Sequence, residues 1–168
     1  MIYLTSEEQR KKYLPLCDSL QMLGCYAQTE LGHGSNVQGL ETTATLDLET
    51  DEWVIHTPSI SGAKFWPGGM GRTATHAVVF ARMMIRGKSY NVHSFLVPIR
   101  SLEDHTALPG VEVGDIGTKL GYATVDNGYL SFNKCRIPRE NHLARLAHVD
   151  AKGNFETRGD PRALYIIM

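Results

Sequence analysis

A chain of 168 residues has room for one domain with a substantial core, since a chain of ~150 residues buries roughly 70% of its unfolded surface. With 42% apolar and 21% charged residues, and 17 basic side chains against 18 acidic ones, it has an ordinary globular composition and no whole-chain field to gather nucleic acid or an anionic membrane. Cys17, Cys25 and Cys135 are odd in number and form no C-x-x-C pair, which argues against a disulfide framework and a zinc site and favours a reducing compartment.

The opening MIYLTSEEQRKKYL carries charges where a secretory signal needs an apolar run. Residues Thr5 to Leu23 read as a helix: Thr5 or Ser6 can cap it, Glu7 and Glu8 suit its positive end, and Tyr13, Leu16, Leu20 and Leu23 share a face. Pro15 bends or interrupts it. From Gly24 the apolar period changes to two. Strands are expected at Cys25 to Glu30, Glu41 to Leu48, Glu52 to Thr57, His76 to Met83, Val92 to Ile99 and Tyr129 to Ile137.

Glu49-Thr50-Asp51 and Arg86-Gly87-Lys88-Ser89 have the lengths of hairpin connections, so antiparallel pairing is expected. Ser101 to Gly110 reads as surface loop, and Pro138 followed by RENHLARL as a strand end leading toward a helix. KGNFETRGDPR reads as a polar hairpin or linker before a truncated helix at RALYIIM. No run approaches the ~20 apolar residues of a membrane span. The fold class expected is therefore mainly β: an antiparallel sandwich or barrel of six or more strands, with helical segments at both ends. The organisation expected is 1–23 as the end of a helical domain, 24–150 as a β-domain, and 151–168 as a linker into further helix. On that reading the chain is a fragment.

Three segments could carry chemistry. Gly32-His33-Gly34-Ser35-Asn36 turns sharply after a strand, and its glycines let amides approach an anion or a flat ring, with Thr29, Ser35 and Asn36 offering neutral hydrogen bonds. A plain turn with a solvated histidine fits the same letters. It is no dinucleotide fingerprint, since the third glycine and the following helix are missing. Gly62-Ala63-Lys64-Phe65-Trp66-Pro67-Gly68-Gly69-Met70-Gly71 is either a rigid platform for a planar conjugated ligand or a glycine-rich hairpin with Trp66 in the core. In Gly114 to Gly121, Lys119 and the neighbouring amides could meet a phosphate or polar tail, yet the Asp126-Asn127-Gly128 that follows is more economically a β-turn feeding the next strand. The seven histidines are scattered singly, so no metal site is expected. There is no G-x-S-x-G either.

CYAQTELGHGSNVQGLETTAT, AKFWPGG, GDIGTKLGY, DNGYL and CRIPREN, in this order and spacing, resemble the peroxisomal acyl-CoA oxidase family over about residues 5 to 150. The wider acyl-CoA dehydrogenase superfamily is similar in layout. The resemblance implies a middle β-domain between helical domains, bound flavin adenine dinucleotide (FAD), fatty acyl-CoA as substrate, dioxygen as electron acceptor, a homodimer and a peroxisomal location. It implies that Gln28, Thr29, Trp66, Pro67 and Gly68 line the flavin, and that Gly34, Ser35 and Asn36 lie beside the acyl-CoA. The family's catalytic glutamate sits in the C-terminal helical domain, so the resemblance assigns no catalytic residue to 1–168. Pro67-Gly68 stands where the dehydrogenases carry Ile-Thr, which favours an oxidase over a dehydrogenase that uses an electron-transfer flavoprotein. A non-catalytic β-sandwich binding module fits the strand pattern but gives no reason for the two glycine-rich motifs to occur together.

Overall fold

A computed structural model describes residues 3–158. Helix α1 spans Glu7–Asp18, shorter than the sequence predicts. Ser6 starts it with a capping box, its hydroxyl accepting from the Gln9 amide while the Gln9 side chain accepts from the Ser6 amide. Pro15 is accommodated inside the helix, which ends three residues later, and Leu20 leaves it at φ 58°. Of the expected apolar face, Tyr13 is buried but Leu16 and Leu20 are exposed.

The strands are β1 (Gly24–Ala27), β2 (Thr43–Asp47), β3 (Glu52–His56), β4 (Lys64–Phe65), β5 (His76–Ile85), β6 (Lys88–Pro98), β7 (Val111–Asp115), β8 (Gly128–Phe132), β9 (Cys135–Pro138), β10 (Ala147–Val149) and β11 (Phe155–Thr157). Six of them form one sheet in the order β1-β5-β2-β3-β9, with β6 also on β5. A three-stranded sheet has the order β4-β8-β7, and β10 pairs with β11. The fold is mainly β, as expected, but the large sheet is mixed: β1 and β2 both run parallel to β5. The expectation of antiparallel pairing throughout is thereby corrected. The hairpins read from the sequence are antiparallel, whereas the pairings β5 makes with β1 and β2 join strands separated by long connections, which carry no turn signal.

The Arg86-Gly87 turn is tighter than expected. Ile85 pairs with Lys88, and both central residues have positive φ, 51° and 76°, as a two-residue type I′ turn requires. The single strand expected at Tyr129 to Ile137 is two strands, broken at Asn133-Lys134, where Lys134 takes φ 53° and the chain passes from the small sheet to the large one. Pro138 leads into a 3-10 turn, Arg139–Asn141. KGNFETR contributes β11 of a hairpin, and the helix expected at RALYIIM lies outside the described residues.

β5 and β6 are buried on both faces. One face carries Ala77, Val79, Ala81, Phe95 and Val97 into the main core with Trp53 and Ile55; the other presents Val78, Phe80, Val92 and Leu96 toward Tyr13 of α1. This double burial explains why AVVFA in β5 is a continuous apolar run rather than an alternating one. The Gln9 side chain donates to the Glu140 and His142 carbonyls at 2.7 and 2.6 Å, and the Tyr13 hydroxyl donates to Asn141 at 3.2 Å, which fixes α1 to the turn after β9.

Candidate functional site

The two sheets meet where β1 ends. Beyond Ala27 the chain stops pairing with β5 and residues 29–31 run antiparallel to 63–65: Phe65 N donates to the Thr29 carbonyl at 3.0 Å and Leu31 N to the Ala63 carbonyl at 2.8 Å. Alternation along a strand then sorts the side chains. Glu30 and Lys64 share the inward face and are fully buried, while Thr29 and Phe65 share the outward face, with Thr29 exposed.

Immediately after Phe65 the chain makes the turn Trp66-Pro67-Gly68-Gly69. Trp66 takes φ 91°, a left-handed conformation that costs a tryptophan on the order of 1 kcal/mol. Neighbours hold it there: its amide donates to the Gly128 carbonyl at 2.9 Å, its carbonyl accepts from Asn127 Nδ2 at 2.6 Å, and the Pro67 carbonyl accepts from the Gly128 amide at 3.0 Å. Trp66 does not fill the core; it is 54% exposed. A Cβ placed on Gly68 would touch only Val125 Cγ1, at 3.4 Å, so the surface beside it is open.

The rest of the glycine-rich turn is tied from behind by residues that sequence reading passed over. Buried Arg100 donates to the carbonyls of Met70, Ala74 and Gly71 at 3.0, 2.7 and 2.8 Å. Asp126 accepts from the Arg72 and Thr73 amides and the Thr73 hydroxyl, at 2.9, 2.9 and 3.0 Å. Arg100 gave no signal because its partners are backbone carbonyls about 30 positions away. Asp126-Asn127-Gly128 gave a turn signal, and its side chains prove to brace the neighbouring loop.

Glu30 and Lys64 form the buried centre of this corner, 2.9 Å apart. The Lys64 ammonium also donates to the Gln28 carbonyl at 3.2 Å and the Phe80 carbonyl at 2.6 Å, filling its three donor positions. The second Glu30 oxygen accepts from the Glu41 amide at 2.7 Å, and the first also accepts from the Thr42 amide at 3.0 Å. Burial pulls Lys64 down to about 8, against the opposing pull of the Glu30 charge.

His33 is only partly solvated. Its Nε2 meets Glu41 Oε1 at 2.9 Å, and its backbone exchanges two hydrogen bonds with Glu30 at 3.1 Å each, closing a tight turn. Glu41 also accepts from the Ser59 and Ser61 hydroxyls; these bonds, the Ser59 one foremost, together with His33, hold its carboxyl down to about 2. Gly34, Ser35 and Asn36 follow that turn on an exposed loop, with Asn36 packed over Gly39. Gln28 is buried and accepts from the Tyr26 hydroxyl. The structure thus brings Gln28 and Thr29 together with Trp66, Pro67 and Gly68, and sets Gly34, Ser35 and Asn36 on the adjoining loop. Gly114 lies in β7, where the Tyr129 ring covers it so closely that a Cβ would fall 2.7 Å from the ring. Lys119 is occupied with the Val125 carbonyl at 3.0 Å. Among the described residues no group of three or more His, Cys, Asp or Glu side chains could hold a metal ion.

The acyl-CoA dehydrogenase middle-domain model matches residues 25–135, which takes in the whole of this corner. The chain belongs to that family. It is 56% identical over 162 residues to peroxisomal acyl-coenzyme A oxidase 1 of Arabidopsis thaliana, covering 95% of this chain and 24% of that protein. With mouse peroxisomal acyl-coenzyme A oxidase 2 it shares 52% over 165 residues, 98% of this chain and 24% of the relative. The solved structure of Arabidopsis acyl-CoA oxidase 1 superposes with a TM-score of 0.94 at 55% identity, over 98% of this chain and 25% of that one. Acyl-CoA oxidase-2 of Caenorhabditis elegans, solved with FAD, ascaroside-CoA and ATP, superposes with a TM-score of 0.94 at 42% identity, over 97% and 25%. The chain spans about a quarter of the length of the curated relatives it matches.

Proposed function

We infer that this chain is the middle β-domain segment of a flavin-dependent acyl-CoA oxidase of peroxisomal fatty acid β-oxidation. Residues 1–23 end the N-terminal helical domain, 24–150 form the β-domain, and 151–168 lead into the C-terminal helical domain. The observation that carries the reading is the hydrogen bond from Phe65 N to the Thr29 carbonyl, which sets the two family motifs side by side on one open edge. The identity of the oxidase relatives over nearly the whole chain supports the same class.

The residues at this edge fit FAD. An exposed indole, an exposed threonine and two consecutive glycines admit a flat conjugated ring against the backbone. Bound there, FAD would supply the two-electron acceptor for α,β-dehydrogenation of a fatty acyl thioester, the α proton going to a base outside residues 1–168 and the electron pair in turn to dioxygen, giving hydrogen peroxide. This chain's share is placement. Thr29 and the amides near Gly68 orient the ring, Gln28 is held beneath by Tyr26, and Gly34, Ser35 and Asn36 form the exposed loop against which acyl-CoA lies. The complete enzyme acts as a homodimer.

Gly68 leaves room beside the ring for dioxygen, where a dehydrogenase carries threonine. The test is Gly68→Thr in the full-length enzyme, assayed with acyl-CoA under oxygen and, separately, with an artificial acceptor. A Cβ at Gly68 meets only ordinary contact, so the fold should tolerate the change. The expected result is slower oxygen turnover with acceptor turnover retained. Equal slowing of both removes the role of Gly68, and a full-length wild-type protein that carries no flavin and makes no peroxide removes the functional reading.

A further inference from the structure

We propose that the buried Glu30–Lys64 pair is a positioning device that sets the spacing of the two walls of the flavin slot, Thr29 on one side and Trp66 to Gly68 on the other. The inference rests on the flavin reading above and adds to it two residues that touch neither flavin nor substrate.

The argument starts from neighbours in sequence. Glu30 follows Thr29, and Lys64 precedes Phe65, so fixing this pair of side chains sets the spacing of the Thr29 backbone from the Phe65 backbone, where the Trp66 to Gly68 turn begins before Gly128 and Asn127 take hold of it. The link is rigid because all three Lys64 donors and both Glu30 oxygens are engaged. Three Lys64 donors meet three acceptors on three segments: Gln28 before the first wall, Glu30 after it, and Phe80 in β5 of the large sheet. Glu30 in turn takes the amides of Glu41 and Thr42, which lie beyond the loop that carries Ser35 and Asn36. One ammonium and one carboxylate therefore join both sheets, both walls and the end of the proposed substrate loop.

Stability alone gives little reason for such a pair. A buried ion pair is often matched or bettered by apolar side chains of similar volume, because desolvation offsets the attraction. The pair does supply direction: two point-like groups with several fixed partners hold adjoining backbones to a narrow range of spacing, which packed methylenes do not. A misplacement of about 1 Å at a reacting centre can cost on the order of 100-fold in rate.

The test uses the full-length, FAD-loaded oxidase that carries this segment. FAD dissociation, the visible flavin spectrum and the melting temperature are measured for wild type, Lys64→Met, the double variant Lys64→Met with Glu30→Gln, Lys64→Arg, and Ile137→Ala as a core variant far from the slot. The double variant removes both charges and keeps one acceptor oxygen, which can serve only one of the Glu41 and Thr42 amides, since those bond different Glu30 oxygens. Lys64→Met should melt lower and release FAD on the order of tenfold more readily, the size of effect that supporting partners of bound groups show elsewhere. The double variant, relieved of the unpaired buried carboxylate but still without donors for the Gln28 and Phe80 carbonyls, should regain part of the melting temperature that Lys64→Met loses, yet keep the weakened binding and a shifted flavin band. Lys64→Arg, which keeps the charge but not its geometry, should shift the band at a smaller cost in melting temperature. Ile137→Ala should melt lower with unaltered binding and spectrum. Wild-type binding and spectrum in the double variant overturns the proposal, as does an equal loss of FAD in Ile137→Ala. A wild-type enzyme without flavin overturns the functional reading instead, and this inference with it.

Discussion

Acidification between pH 7.5 and 5.0 should unlock the core around His93 and His142. His93 Nε2 lies 3.0 Å from the Tyr90 carbonyl, so that nitrogen must carry a proton, which leaves Nδ1 bare. Nδ1 lies 3.4 Å from His142 Nε2, which can then donate to it. A second proton on His93 would set two N–H groups against each other, in a pocket walled by Phe95, Trp53 and Phe155. Both rings are therefore held neutral. Burial lowers His93 from 6.5 to about 4, and lowers His142 well below its usual value, with the charges of His93 and His148 adding to the effect. For a basic group lowered on folding, the unfolded chain binds protons first. The stability this represents is complete above pH 6.5 and is lost as pH falls toward the folded value. At 1.36 kcal/mol per unit, His93 alone should lose about 2 kcal/mol by pH 5.0, with His142 adding loss in the same direction, against the ~5–15 kcal/mol typical of a domain. That pH still lies above the carboxylate range. Urea unfolding followed by the fluorescence of buried Trp53 measures it directly, since Trp53 packs against His142 with ring centres 6.0 Å apart. His93→Gln, whose amide can serve both the Tyr90 carbonyl and His142, should lose about 2 kcal/mol less over the same interval. A wild-type stability that is flat from pH 7.5 to 5.0, or an unchanged slope in His93→Gln, refutes the reasoning.

Gly128→Ala should destabilise the chain by about 3 kcal/mol or more, because the new Cβ would lie 2.6 Å from the Gly71 amide nitrogen and 2.8 Å from the Met70 carbonyl carbon, and backbone cannot move aside cheaply; denaturant midpoints against wild type measure it. Arg100→Met leaves three buried carbonyls without their donor and should cost about 3 kcal/mol, with faster amide exchange expected across 70–74. Burial raises Cys25 to about 12 and Cys135 to about 11. At pH 8 a thiol reagent should therefore label partly exposed Cys17 in the native chain and reach the other two only after unfolding, as peptide mass mapping can show.

Most strands were legible because hydrophobic alternation and hairpin turns are local signals. The pairing of β1 and β2 with β5 was not, since parallel neighbours far apart in sequence leave no turn between them. β4 is two residues long and too short to show a period. β7 was not expected: its five residues include Gly114, which weakens a strand signal and which the Tyr129 ring covers in the folded sheet. At the candidate site the glycines, Thr29 and Trp66 could be read from the letters. Lys64 stood inside a quoted motif without a role, and Glu30 at the end of an expected strand, because ion pairing across 34 positions is a property of the folded corner alone. His33, for which a solvated turn residue was one of two readings, is partly exposed and is held by Glu41, eight residues on.

Thr29 and Glu30 are consecutive residues that face opposite ways, one toward the open edge and one into the protein interior. Adding or deleting a single residue between Ala27 and Leu31 would exchange them, stranding the Lys64 ammonium without its carboxylate and turning a carboxylate outward beside the indole. Length is therefore closed to variation in this stretch. Any drift of its chemistry, in nature or at the bench, must proceed by replacing letters.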